Sequence, residues 1–347
     1  MTPPKSLDRR LARITADPAC GEFILADAKD ADMAFGLAAP GRRPGTDSPD
    51  GPWRSLAEYR DSIREIVAQG LVDIVLMSAS TSEVLAIDEG IFAAGGVTPA
   101  VRMNDTTDIW LAAGTGGYPR QPALPFATTT IEQARCGRAT GGPVAAGRGV
   151  DLGLFSITLN DDAELDRQML AAYREFRIDA EQVGFRHFLE VFLPNAIRPA
   201  EGNPRDLPRF LADSVVRVLA GVPRSGRPLF LKIPYLGPAL TEQLAAYDRS
   251  LVVGILGGAA GTTHDAFGLL AEARAHGARV ALFGRKINAA EHPLEFVRHL
   301  RLIADGEVGA AEAVRAYHGA LGRLGVAPTR SLEADLVRTP VASAYAG

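Results

Sequence analysis

The chain alternates short apolar and β-branched runs with longer stretches in which apolar residues recur every three or four positions. Side chains change face every residue along a strand and every 3.6 residues around a helix, so this rhythm predicts parallel strands joined by crossover helices. The expected strands are EFILAD (22–27), VDIVLMS (72–78), PAVRMN (99–104), VDLGLFSIT (150–158), FRHFLEVF (185–192), PLFLKIPY (228–235), LVVGIL (251–256) and RVALFG (279–284). Between them, SLAEYRDSIREIVAQG places Leu56, Tyr59, Ile63, Ile66 and Val67 on one helical face and ends at Gly70. TSEVLAIDEGIF, AELDRQMLAAYREF, DLPRFLADSVVRVLAG, PALTEQLAAYD, THDAFGLLAEARAHG and HPLEFVRHLRLIADG repeat that logic.

Eight strand–helix units predict the α/β class and a closed (β/α)8 TIM barrel. An open doubly wound sheet is the alternative, because periodicity carries no information about closure. Residues 1–347 are read as one barrel domain with its core at about 20–306, and LDRRLARITA is a short N-terminal helix suited to plugging the barrel floor. Residues 307–347 form a helical extension and tail. Two Gly- and Pro-rich stretches, 36–52 and the inserted region 105–149 after strand three, follow strand C-termini. That is where barrel active sites are built, so they are either substrate loops or disordered insertions.

With 37 basic and 41 acidic side chains the net charge is −4, and no basic stripe invites nucleic acid. Cys20 and Cys136 form neither a disulfide framework nor a metal motif, and the N-terminus lacks the apolar stretch of a signal peptide. No apolar run approaches the roughly 20 residues of a membrane span. A cytoplasmic protein acting on small metabolites is expected.

Only four of the 37 basic residues are lysines: Lys5, Lys29, Lys232 and Lys286. Lys232 stands inside the apolar run LFLKIPY. An inward Lys232 is desolvated, and a neutral amine adds to a ketone to give an imine, chemistry closed to arginine. The alternative is an outward lysine or a buried ion pair. Glu190 sits at comparable depth in FLEVF of the preceding strand, within reach as a proton-handling carboxylate or as a structural partner. Asp27, at the end of ILAD, is an acid–base candidate or a turn former, with Lys29 just beyond. Arg102 and Asn104 end strand three, where they suit substrate oxygens or, for Asn104, a turn. After strand seven comes LGGAAGTTHDAF and after strand eight FGRKIN. Gly257, Gly258, Gly284 and Arg285 therefore stand where barrels hold phosphate. The six histidines show no metal-ligand spacing, and no metal or cofactor is expected.

RRLARI…GEFILADAKD, FLEVF, LFLKIPY, GGAAGTT and FGRKIN…HPLEFVRHLR together resemble the class I, Schiff-base aldolases of the DeoC/archaeal-type fructose-bisphosphate aldolase superfamily. The resemblance includes the tagatose-bisphosphate aldolase-like branch and covers about residues 7–306. The resemblance implies that Lys232 is the imine lysine, Glu190 its proton-handling carboxylate and Asp27 the strand-one aspartate. It makes Gly257, Gly258, Gly284 and Arg285 a phosphate cradle. It also implies a phosphorylated small-molecule substrate, a metal-independent lyase and a homo-oligomer. The chain departs from the pattern after Asp27, where Ala28–Lys29 replaces a His-Gly or Gln-Arg pair, and in strand four, which lacks a lysine or aromatic proton donor. Imine-dependent acyl transfer (thiolase chemistry) and a non-catalytic sugar-phosphate-binding barrel are the rival readings.

Overall fold

The computed structural model describes residues 4–17, 19–43, 52–112, 116–196, 206–258 and 261–339. Eight parallel strands form its main sheet: β1 (Ile24–Lys29), β2 (Ile74–Met77), β3 (Thr98–Arg102), β4 (Leu152–Thr158), β5 (Arg186–Phe192), β6 (Leu231–Lys232), β7 (Gly254–Leu256) and β8 (Val280–Phe283). They pair in the order β6-β5-β4-β3-β2-β1-β8-β7. A parallel bridge between Ile233 and Ile255 joins the two ends, so the sheet closes into a (β/α)8 barrel. The open-sheet alternative is thereby excluded.

Strand six is two residues long where the apolar run suggests eight. Pro234 has no N–H to give the ladder, and pairing ends with the bridge at Ile233.

Two apolar layers follow from strand alternation. Ile24, Ala26, Ile74, Leu76, Ala100, Leu152, Leu154, Phe188, Phe230, Val280 and Leu282 fill the barrel interior. Their sequence neighbours, such as Leu25, Val75, Leu189 and Phe283, face the helices. The N-terminal helix Ser6–Ala16 places Leu7 and Ile14 in the interior cluster, closing the floor as expected. Helix Leu56–Gln69 is opened by a Ser55–Glu58 capping box, closed by Gly70 at φ +70°, and buries Tyr59, Ile63 and Ile66. TSEVLAIDEGIF is a regular helix only at its start: Glu83–Asp88 is a π-helix, closed by Glu89 N–H donating to Val84 O at 2.9 Å.

The inserted region carries structure of its own. An antiparallel ribbon pairs Asp105–Thr106 with Pro125–Phe126, and the helix Ile131–Cys136 has a Thr130–Gln133 capping box. Within 36–52, residues 44–51 lie outside the described residues, as do 113–115 of the insertion, Ala259–Ala260 of the loop after β7 and 340–347 of the tail. The C-terminal extension supplies helix Ala310–Leu324 and a final turn, Leu332–Asp335. Among the described residues no helix is long and apolar enough to cross a membrane.

Candidate active site

Inward positions of β3 to β6 turn from apolar to polar or charged at the C-terminal mouth. Glu190 and Lys232 are register partners on β5 and β6, and Ser156 is the partner of Glu190 on β4. Lys232 Nζ lies 2.6 Å from Glu190 Oε1, with the two side chains 4% and 0% exposed. Ser156 Oγ donates to Glu190 Oε2 at 2.5 Å. Arg102 Nη1 lies 3.4 Å from the same Oε2.

Arg102 ties this group to the mouth. Its Nη1 donates to Asp30 Oδ2 at 2.8 Å, its Nη2 to Ser156 Oγ at 3.0 Å and Asp105 Oδ1 at 3.3 Å, and its Nε to the Asn104 carbonyl at 3.0 Å. Asp105 is 1% exposed with Oδ2 unpartnered; burial pushes its carboxyl up and Arg102 opposes that rise. Counting formal charges, Asp30, Asp105 and Glu190 outnumber Arg102 and Lys232 by one.

A cavity of about 50 Å³ opens above the group and is lined by Lys232, Arg102, Asp30, Gly257, Gly258, Gly284 and Arg285 with Ala31, Ala34 and Phe35. The two glycine turns and the buried lysine therefore share one space. Gly258 has φ +66°, which a side chain rarely adopts. A Cβ on Gly257 would overlap the Phe283 ring, and one on Gly284 would come within 2.5 Å of the Ala28 carbonyl oxygen. Close packing of β1, β7 and β8 thus demands glycine here, and leaves the backbone open toward the cavity. The Arg285 guanidinium lies 5.8 Å from the Phe35 ring centroid.

No protein-family model and no curated protein matches the sequence. Solved structures do match. An archaeal fructose-1,6-bisphosphate aldolase shares 15% identity at a TM-score of 0.58, over 86% of this chain and 99% of its own. The fold is similar to that of archaeal fructose-1,6-bisphosphate aldolases. Another, determined with its catalytic lysine covalently bound to the carbinolamine intermediate of its substrate, has 16% identity and a TM-score of 0.59, over 86% of this chain and all 100% of that one. A fructose-bisphosphate aldolase from Slackia heliotrinireducens has 16% identity and a TM-score of 0.61, over 89% of each chain. At these identities the likeness is one of fold.

Three residues expected at the cavity from sequence are placed elsewhere. Asp27 pairs across the sheet with Val75 and Phe283, both on the outer face, and so points toward the helices with Leu25. Lys29 has the same parity: its Nζ is 3.4 Å from Asp27 Oδ2, donates to Asn288 Oδ1, and lies 5.9 Å from the Tyr59 ring centroid. This corrects the placement of Asp27 and Lys29 as cavity groups. Asn104 is committed to the backbone of Ser156, donating to its carbonyl at 2.8 Å and accepting from its N–H at 2.6 Å, so it positions β4 and does not face the cavity.

Asp30 and Ser156 are the groups that residue-level reading missed. The signal was parity: Ile24, Ala26 and Ala28 face inward, which aims Asp30 inward, and Leu152 and Leu154 do the same for Ser156.

Proposed function

We propose that the protein is a class I carbon–carbon lyase that holds the keto carbon of a phosphorylated, ketose-like substrate as an imine on Lys232. One observation carries the reading: a lysine buried inside the barrel touches a carboxylate at 2.6 Å and borders a cavity walled by two glycine turns. The fold's likeness to Schiff-base aldolases supports it.

Attack needs an unprotonated amine, and Glu190 Oε1, 2.6 Å from Nζ, accepts the departing proton. Nζ then adds to the carbonyl carbon; the former carbonyl oxygen receives one proton relayed from nitrogen and the one Glu190 had accepted, and leaves as water to give the iminium. That cation takes the place of the Lys232 ammonium beside Glu190 and keeps the same carboxylate as its counter-charge. Removal of the hydroxyl proton on the far side of the scissile bond breaks the carbon–carbon bond. Its electron pair passes to the iminium, leaving an enamine and a free aldehyde. Protonation of the enamine carbon and hydrolysis of the imine return a ketone and the amine.

Glu190 handles these protons, with Ser156 and Arg102 fixing its second oxygen. Asp30, held by Arg102 at the cavity wall, takes the part that the sequence suggested for Asp27. Gly257, Gly258, Gly284 and Arg285 hold the phosphate, so that binding energy remote from the reacting carbon orients it. As written, the cycle calls on no metal or organic cofactor.

The test is aldehyde release from ketose phosphates by the parent and two variants. Lys232→Arg keeps a cation but forms no imine, and its rate is expected to fall by roughly a thousandfold or more. Glu190→Gln is expected to fall about 10²- to 10⁴-fold. A Lys232→Arg protein that cleaves at the parent's rate contradicts the reading.

A further inference from the structure

The Lys232 cavity, at about 50 Å³, has room for one or two waters and not for a sugar ester. Beside it on the same C-terminal face lies a cleft of about 420 Å³, a size ordinary for a small-molecule site. The wall between the two is the single turn Asp32–Phe35: Ala31, Ala34 and Phe35 border the lysine cavity, and Asp32 and Met33 border the cleft. This single turn has no side-chain N-cap and no fully buried residue, and is anchored by the Ser78–Asp32 hydrogen bond and by Phe35 beside Arg285.

The chemistry of the cleft is one-sided. Ser78, Ser80, Thr129 and Gln133 line it beside the carboxylates of Asp32 and Glu83, and no lysine, arginine or histidine is among its described lining residues. Arg60 donates to the Ser80 carbonyl at 3.2 Å but lies outside that lining. Ser78 Oγ donates to Asp32 Oδ2 at 2.6 Å, while Asp32 Oδ1 is buried with no hydrogen-bond partner. That oxygen is shielded as the turn stands, and a shift of the turn that uncovers it offers an unpartnered acceptor to a ligand hydroxyl. A phosphate placed beside two carboxylates with no cation is repelled. At the other end of the site, Arg285 and the glycine turns have the opposite character.

We propose that this cleft takes the uncharged, hydroxyl-rich end of a substrate whose keto end is at Lys232, so that the ligand is phosphorylated at one end only. The inference rests on the imine reading and adds the substrate class. The ligand bridges the two spaces by a shift of the Asp32–Phe35 turn that exchanges the Ser78–Asp32 hydrogen bond for bonds from the ligand's hydroxyls.

The test is cyanoborohydride trapping followed by intact-mass measurement, with dihydroxyacetone phosphate, fructose 1-phosphate and fructose 1,6-bisphosphate as probes. The expected half-saturating concentration for fructose 1-phosphate is at least tenfold below that of the bisphosphate. Glu83→Lys, at an exposed position, is expected to narrow that ratio to under threefold, and Ser80→Lys, also exposed, is expected to do the same. If dihydroxyacetone phosphate is trapped but the two hexose esters saturate alike, or neither is trapped, the inference is overturned and the imine reading stands. A tenfold ratio that neither lysine variant changes also overturns the assignment to this cleft. Failure to trap any of the three, dihydroxyacetone phosphate included, overturns both.

Discussion

A carboxylate with no exposure and no hydrogen-bond donor on either oxygen is costly to ionise, and Asp27 is held in that state beside Lys29. Burial pushes its carboxyl up from 3.8 to about 6, against the opposing pull of Lys29 and with a small push from Asp30. The folded state therefore binds a proton that the unfolded chain has released between those two values. Stability falls as pH rises from about 4 to 6 and is level above that, by about 3 kcal/mol for a shift of this size. Asp27→Asn is expected to remove that stretch of pH dependence; urea unfolding of both proteins at pH 4.5 and 7.5 measures it, and parallel pH dependence in the two counts against the assignment. The lysine and glutamate of the candidate site were legible one residue at a time, because each breaks an apolar strand and register alone brings them together. Asp27 was misread because a strand's last visible carboxylate says nothing about its face. Counting parity back from Ile24 does.

At the scale of elements, the seam between β1 and β8 depends on a residue without a side chain. Gly284 lets the chain pass the Ala28 carbonyl within a distance that no Cβ tolerates. Gly284→Ala is expected to destabilise the fold by about 3 kcal/mol, and the thermal or urea midpoint reads it. By contrast Gly309, with open space around its Cβ position, serves as a control in which alanine is accommodated. Apolar period made most helices readable, and for Leu56–Gln69 the Gly70 stop stands in the structure where the sequence puts it. The π-helix at Glu83–Asp88 and the brevity of β6 were not, since both are set by how neighbouring elements pack and not by local period. The inserted region reads as loop from its glycines and prolines, yet it supplies a ribbon and a capped helix, and Thr129 and Gln133 of that region reach the cleft.

At the scale of the whole molecule, closure is what makes a site out of scattered residues. Arg102, Ser156, Glu190 and Lys232 come from four successive strands, and the glycine turns follow β7 and β8, which sit beside β6 and β1 only because the sheet joins its own ends. The eight strand–helix units announced the class of fold, while closure needed the Ile233–Ile255 bridge that no periodicity contains. The claim on which everything else turns is that the amine of Lys232 bonds to a substrate carbon. Borohydride reduction in the presence of dihydroxyacetone phosphate, followed by protease digestion and peptide mass mapping, measures it directly. The account predicts a stable adduct on the peptide that contains Lys232 and none on Lys5, Lys29 or Lys286. An unmodified Lys232 peptide across ketose phosphates, or an adduct on one of the other three lysines that survives in Lys232→Arg, contradicts it.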